Sequence, residues 1–191
     1  MTAVGVSNGQ PVNTGERNLN KHVFARVTHP LQLGKQVLEL GGGGYSGKFV
    51  ARKDEAVLGD RELWDRRVHA SLVWYPQPFG IHAEYNVGEG PERQGDRVVS
   101  RPLHGGYVML MARIPSRFGT FFPYARVHRY DGGKKFETNA PRHEVREVNA
   151  GLEWQPSRWL ELTAELMASP RRVNDVLQEG RLVRLQLQVN Y

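Results

Sequence analysis

Arg181-Leu182-Val183-Arg184-Leu185-Gln186-Leu187-Gln188-Val189-Asn190-Tyr191 alternates without a break from Val183 onward. The odd positions are Val183, Leu185, Leu187, Val189 and Tyr191; the even ones are Arg184, Gln186, Gln188 and Asn190. Successive side chains of a β-strand point to opposite faces, so this segment carries one apolar face and one face able to hydrogen-bond. Its run of about ten residues is enough for a tilted strand to cross the hydrocarbon core of a bilayer. A half-buried strand of a soluble sheet alternates in the same way, so the rest of the chain must discriminate.

Working back from that segment, the same period recurs. Trp159 to Met167 sets Leu160, Leu162, Ala164 and Leu166 against Glu161, Thr163 and Glu165. Glu144 to Trp154 sets Val148, Ala150, Leu152 and Trp154 against Glu147, Asn149 and Glu153. Phe121 to Tyr130 carries Arg126 and His128 on its polar side, while Gly105 to Arg113 is apolar on both. Phe79 to Val87 opposes Ile81, Ala83, Tyr85 and Val87 to His82, Glu84 and Asn86. Arg67 to Tyr75 opposes Val68, Ala70, Leu72 and Trp74 to His69 and Ser71. Gln36 to Arg52 is long and Gly-rich, and His22 to Thr28 opposes Val23, Ala25 and Val27 to Phe24 and Arg26. With the last segment these make about nine strands by periodicity.

The connections have a pattern of their own. Short turns containing Pro30, Pro76, Pro115 and Pro156 are expected to join strands in pairs. Long charged loops, 53–65, 88–103, 131–142 and 168–180, are expected between the pairs. Short links suit antiparallel neighbours, and a soluble sandwich has no reason to gather every long loop at one end. A membrane barrel does, with short turns on one side of the bilayer and long loops on the other. Aromatics gather beside the short turns, with Trp74 and Tyr75 at one and Trp154 and Trp159 at another, where an interfacial girdle belongs. The fold class expected is therefore all-β, an antiparallel up-and-down transmembrane β-barrel. Residues 1–20 are expected to be a polar or disordered start and 21–191 the barrel wall. Tyr191 is expected to act as an assembly signal, read by the barrel-assembly machinery through the last strand.

Composition sets outer bounds. Hydrophobic residues make up 39% of the 191, Gly is plentiful at 21, and there is no Cys, which excludes disulfides, zinc-thiolate sites and thiol nucleophiles. No window has the 18 or so apolar residues of a spanning helix, which leaves a barrel open. Residues 1–20 lack the apolar core of a signal peptide, so an export signal would have to lie outside this chain. The net charge of +6 is compatible with nucleic acid, acidic lipid or anionic solutes.

Several motifs point elsewhere and are weaker than they look. Gly42 to Gly47 fits G-x-G-x-x-G, and Gly42 to Lys48 fits a phosphate loop except at Phe49, where a hydroxyl should hold magnesium. No helical period follows it, so the glycines read as places where a strand bends or is approached closely. The seven histidines form no H-x-H or H-E-x-x-H pair, and no metal or other cofactor is expected. Glu153 with Glu161, and Asn149 with Glu165, are placed to pair across the Pro156 turn, but salt bridges along a wall account for them better than catalysis. The chain is not expected to be an enzyme. Nucleic acid is not an expected partner either, because Arg93, Arg97, Arg101, Lys134, Lys135, Arg142, Arg171 and Arg172 lie scattered through the long loops.

Three stretches carry a likeness: Leu72-Val73-Trp74-Tyr75-Pro76, Pro123-Tyr124-Ala125-Arg126-Val127 before Tyr130-Asp131-Gly132-Gly133, and Asn149-Ala150-Gly151-Leu152-Glu153-Trp154-Gln155-Pro156. In that order they resemble the phosphate-selective porin O and P family, over most of Gln36 to Tyr191. The resemblance implies the C-terminal part of a 16-stranded outer-membrane barrel, a homotrimer, and passive diffusion of small anions such as phosphate or polyphosphate. Pore-lining residues are then expected at Arg26, His69, His82, Arg126, His128 and Arg184, with Glu84, Glu147, Glu153, Glu161 and Glu165. That set is not net basic, so anion preference comes from the resemblance and the basic loops. A weakly selective general porin, or a soluble all-β binding domain, are the competing expectations. Membrane lipid is the implied surrounding partner.

Overall fold

The computed structural model describes residues 1–10, 15 and 17–190. Among them are eleven strands and no helix. They are β1 (Thr2–Ser7), β2 (His22–Leu33), β3 (Gln36–Phe49), β4 (Leu63–Trp74), β5 (Phe79–Gln94), β6 (Arg97–Ala112), β7 (Ile114–Ser116), β8 (Gly119–Gly133), β9 (Arg142–Ser157), β10 (Leu160–Val173) and β11 (Val176–Val189). All belong to one sheet, in the order β1-β2-β3-β4-β5-β6-β8-β9-β10-β11, with β7 paired to β8. Every strand pairing is antiparallel and joins neighbours in sequence, except that β6 pairs β8 past the short β7, the up-and-down arrangement. The path does not return from β11 to β1, so the sheet has two free edges.

Register fixes the faces. Val127 of β8 lies opposite Val108 of β6 and Val148 of β9, and Leu187 of β11 lies opposite Leu162 of β10. The apolar sets of adjacent strands therefore merge into one apolar face. No second layer covers it: Leu185 is 80%, Leu187 63% and Val189 60% exposed. A soluble sheet would bury this face, because exposing so large an apolar patch to water is unfavourable. The opposite face is concave. The loop after β8 crosses it to reach the loop after β3, where Asn139 N donates to Arg52 O at 2.7 Å and Asp54 N donates to Asn139 Oδ1 at 2.9 Å. Buried apolar residues are few and gather at this loop end, where Phe49, Ala51, Leu63, Val98 and Ala140 pack with Val57.

The structure departs from the sequence expectation in four places. Thr2–Ser7 is a strand on β2 rather than part of a polar start, and with β7 this makes eleven strands rather than nine. Pro30 is inside β2 opposite Glu39, and the turn is Gly34-Lys35, with Gly34 at φ +63°. Pro30 lies past the last β1 pair, Thr2 with Val27, so its missing N–H removes no ladder bond on that side. Pro115 and Pro156 likewise fall within β7 and β9, beside the turns rather than in them. Most of 88–103 and 168–180 is strand, with β5 and β6 turning at Gly95-Asp96 and β10 and β11 at Asn174-Asp175. Asn174 and Asp175 both have positive φ, 45° and 70°, the geometry of a two-residue turn whose twist matches the strands. Two of the four expected long loops are thus tight turns on projecting hairpins, while residues 50–62 and 134–141 remain long connections at the same end.

Candidate functional site: the concave face

All eleven polar residues singled out from the sequence lie on the concave face. The row Arg26, Gly43, His69, Asn86, Gly105, Tyr130 fixes the phase for β2 to β8. His82 lies opposite Met109, which lies opposite Arg126; Glu84 lies opposite Tyr107, which lies opposite His128. Glu147 lies opposite His128, Glu153 opposite Thr163, Glu161 opposite Gln188, and Arg184 opposite Glu165.

Four of them converge. Glu165, only 6% exposed, accepts from Asn149 Nδ2 at 2.7 Å and pairs with Arg184 Nη2 at 2.5 Å and Arg126 Nη2 at 4.0 Å. Arg126 Nη2 is also 3.6 Å from Glu147 Oε1. Two guanidinium groups thus meet two carboxylates, and this patch of wall is locally neutral. Glu153 and Glu161 do not meet. A register shift between Leu160 and Leu162 puts Thr163 opposite Glu153, which accepts instead from Gln155 Nε2 at 2.6 Å. Glu161 accepts from Asn190 Nδ2 at 2.9 Å. Glu84 accepts from Asn86 Nδ2 at 3.0 Å, and the Nε2 atoms of His69 and His82 have no hydrogen-bond partner among the described residues. Arg26 stands apart from the cluster and His128 lies beside it, opposite Glu147; neither has an ion pair among the described residues.

A second assembly was invisible in the sequence. Asp65 is fully buried and holds Lys135 Nζ in a short ion pair. Its other oxygen accepts from Tyr45 Oη at 3.0 Å and lies 3.6 Å from Arg67 Nη2. Lys135 Nζ also sits 5.2, 5.3 and 4.9 Å from the ring centroids of Tyr45, Phe49 and Phe136. Burial pulls the Lys135 ammonium below its usual pKa although Asp65 opposes the shift. The residues come from β3, β4 and the loop after β8, up to 90 positions apart. Only the shared phase of Asp65, Arg67 and His69 hinted that β4 begins earlier than Arg67. Beneath this loop a basin of about 590 Å³ is lined by Arg67, Lys134, Lys135 and Arg171 against Glu137 and Glu147. Beside it His143 Nε2 is 3.2 Å from Glu137 Oε2, and Lys134 Nζ is 3.2 Å from Glu137 Oε1. Burial, then Lys134, lowers the His143 pKa; Glu137 is lowered against its own burial by Lys134 and His143.

The convex face has a defined height. Trp74 Nε1 donates to Gln36 Oε1 at 2.7 Å, and Trp154 Nε1 donates to Phe118 O at 2.8 Å while its ring stacks on Phe121 at 6.0 Å. Tyr75 and Trp159 sit exposed in the adjoining turns. Toward the other end of β4 is Trp64, on the same face as Trp74 and flanked by Lys48 and Arg66 at 5.5 and 5.6 Å. From Trp64 to Trp74 is about 33 Å along the strand, or about 25 Å normal to a bilayer at a tilt near 40°, the height of a barrel's apolar band. Tyr191, the expected assembly signal, lies outside the described residues.

A face that tolerates oil and an opposite face lined with ionic pairs can separate lipid from a water path. A family model for phosphate-selective porin O and P matches residues 46–191. No curated protein and no solved structure compared with the chain matches it.

Proposed function

The chain belongs to the phosphate-selective porin O and P family, and we propose that it walls an outer-membrane channel through which small anions, phosphate among them, diffuse along the concave face. The observation that carries this reading is the division of faces: an uncovered apolar exterior about as tall as a bilayer core, against an ionic interior. Passage requires width and charge only, with no catalytic group and no cofactor. Arg26, His69, His82, Glu84, Arg126, His128, Glu147, Glu153, Glu161, Glu165 and Arg184 line the water path. The basin under the β8–β9 loop sets four cations against Glu137, Glu147 and the buried Asp65 that pairs with Lys135 and Arg67, an excess of one positive charge that supports anion entry from the loop side. The neutral Arg126–Glu147–Glu165–Arg184 patch favours a second reading, a weakly selective pore.

Lipid cannot satisfy the free edges of β1 and β11, so further strands close the wall in the membrane, sixteen in all on the family's pattern. A homotrimer, and insertion by the barrel-assembly machinery through β11 and Tyr191, complete the proposal.

The test is reversal potential in planar bilayers under a salt gradient. A unit charge about 6 Å from the ion path is worth ~0.7 kcal/mol in water before screening. Arg126→Glu changes the wall by two charges, so the potential should move clearly toward cation preference. An unchanged potential removes Arg126 from the path, and a wild type without anion preference favours the second reading.

A further inference from the structure

The convex face carries a basic belt that the pore reading does not use. Arg66, Arg129 and Arg146 each lie eight residues along their strand from a girdle aromatic on the same face, namely Trp74, Phe121 and Trp154. That puts them about 20 Å above the girdle at the usual tilt, at the loop-side rim of the apolar band. Arg66 is neutralised by Glu89 at 2.8 Å. Arg129 and Arg146 are not: they lie directly opposite each other on β8 and β9, both exposed, with no ion pair among the described residues.

Like charges directly opposite on a sheet destabilise it. The next row out shows how the protein otherwise handles this. Asp131 and Glu144 are also opposite, and Arg142 bridges them at 2.9 and 3.4 Å, with Arg172 3.9 Å from Glu144. Among the described residues a counter-charge is therefore built in for the acidic pair and absent for the basic one. Immediately below, Val127 and Val148 are 55% and 57% exposed. Beside Arg129 an apolar groove of about 680 Å³ runs between Leu40, Leu72, Tyr85, Val108 and Val127. Its floor is Gly106, where a Cβ would come within 2.2 Å of the Glu84 carbonyl oxygen.

We infer that Arg129 and Arg146 hold the phosphomonoester headgroup of an outer-leaflet lipid, with an acyl chain lying in the groove floored by Gly106. Two guanidinium charges match the nearly two negative charges of a phosphomonoester better than the single charge of a phosphodiester. The inference rests on the membrane reading, but not on conduction or ion selectivity.

The protein with its wall closed by the further strands is folded in zwitterionic detergent and given phosphatidic acid (a monoester), phosphatidylglycerol (a diester) or inorganic phosphate, with retained lipid counted by native mass spectrometry. Wild type should retain phosphatidic acid about tenfold better than phosphatidylglycerol. Arg129→Gln/Arg146→Gln should lose that preference, and Arg66→Gln should keep it. Each single Gln variant relieves repulsion, so it should fold at least as well as wild type and show an intermediate preference if the double variant does not fold. Ala83→Leu, which fills the groove without touching either Arg, should lower retention of both lipids together. Equal retention of monoester and diester by wild type overturns the inference. So does a preference that survives both Arg substitutions, or complete displacement by submillimolar inorganic phosphate, which would mark a free-anion site. A chain that stays monodisperse without detergent would instead defeat the membrane reading on which this site depends.

Discussion

Asp65→Asn should release the β8–β9 loop from the concave face. Asp65 is 0% exposed and faces two cations, Lys135 and Arg67, whose side chains are 13% and 23% exposed. Asparagine keeps the shape and the capacity to accept from Tyr45 but removes the charge. Breaking one partner of a buried pair costs about 3–5 kcal/mol, because the remaining charge stays desolvated. Here the upper end is not reached: the rings of Tyr45, Phe49 and Phe136 still favour the ammonium, by about 0.5–2 kcal/mol. Lys135 also sits on a loop able to swing it into water, so ~2–3 kcal/mol is expected, spent locally on residues 134–141. Hydrogen exchange on the chain in detergent should show faster exchange of the Asn139 and Arg93 amides, which bond to Arg52 O and Ala140 O, while β9–β11 stay protected. Asp65→Asn/Lys135→Met should recover most of the loss, since with both charges removed the Lys135 ammonium is no longer left desolvated without its partner. A loss below ~0.5 kcal/mol in the single variant, or none recovered in the double, would refute the claim that this ion pair holds the loop.

Acid should loosen the same loop through a different group. The His143 pKa is depressed by burial, with Lys134 adding to it, so between that value and the ordinary 6.5 or so the unfolded form binds more protons. The stability from His143 is complete above about pH 6.5 and is lost as pH falls through the folded value. Protection factors in residues 134–141, taken relative to the intrinsic exchange rate at each pH, should fall from pH 7.5 to 5, and His143→Asn should flatten that dependence; an unchanged profile in the variant would assign it elsewhere. On the convex face, Val127→Arg places a charge about 15 Å above the Phe121 girdle and should cost ~2–4 kcal/mol of folding stability in lipid vesicles, with ion selectivity unaltered. A cost under ~0.5 kcal/mol would mean that Val127 does not face lipid.

The division into two faces was legible residue by residue, because a strand's side chains alternate whatever surrounds it. Val183 to Val189 read as one apolar row, and Arg126, Glu147 and Arg184 as the opposite phase, without reference to any neighbour. The hairpin arms were less legible. Arg93 and Val98, or Arg171 and Gln178, lie in charged stretches whose strand character comes from ladder pairing beyond the apolar band, where polarity no longer alternates. Gly95-Asp96 and Asn174-Asp175 were the available turn signals.

What the sequence determined by itself is therefore the period: which side chains share a face, and that one face is apolar along most of the chain. What tertiary structure alone decided is which of those side chains meet. Asp65, Tyr45 and Lys135 come together only because the sheet curls far enough for the loop after β8 to cross two strands and touch β3 and β4. Glu153 and Glu161 share a face but are not paired, because the register sets Glu153 opposite Thr163, two residues along from Glu161. Alternation is a local property of the backbone, whereas register and curvature arise from the summed twist and hydrogen bonding of many strands and leave no mark at any single position.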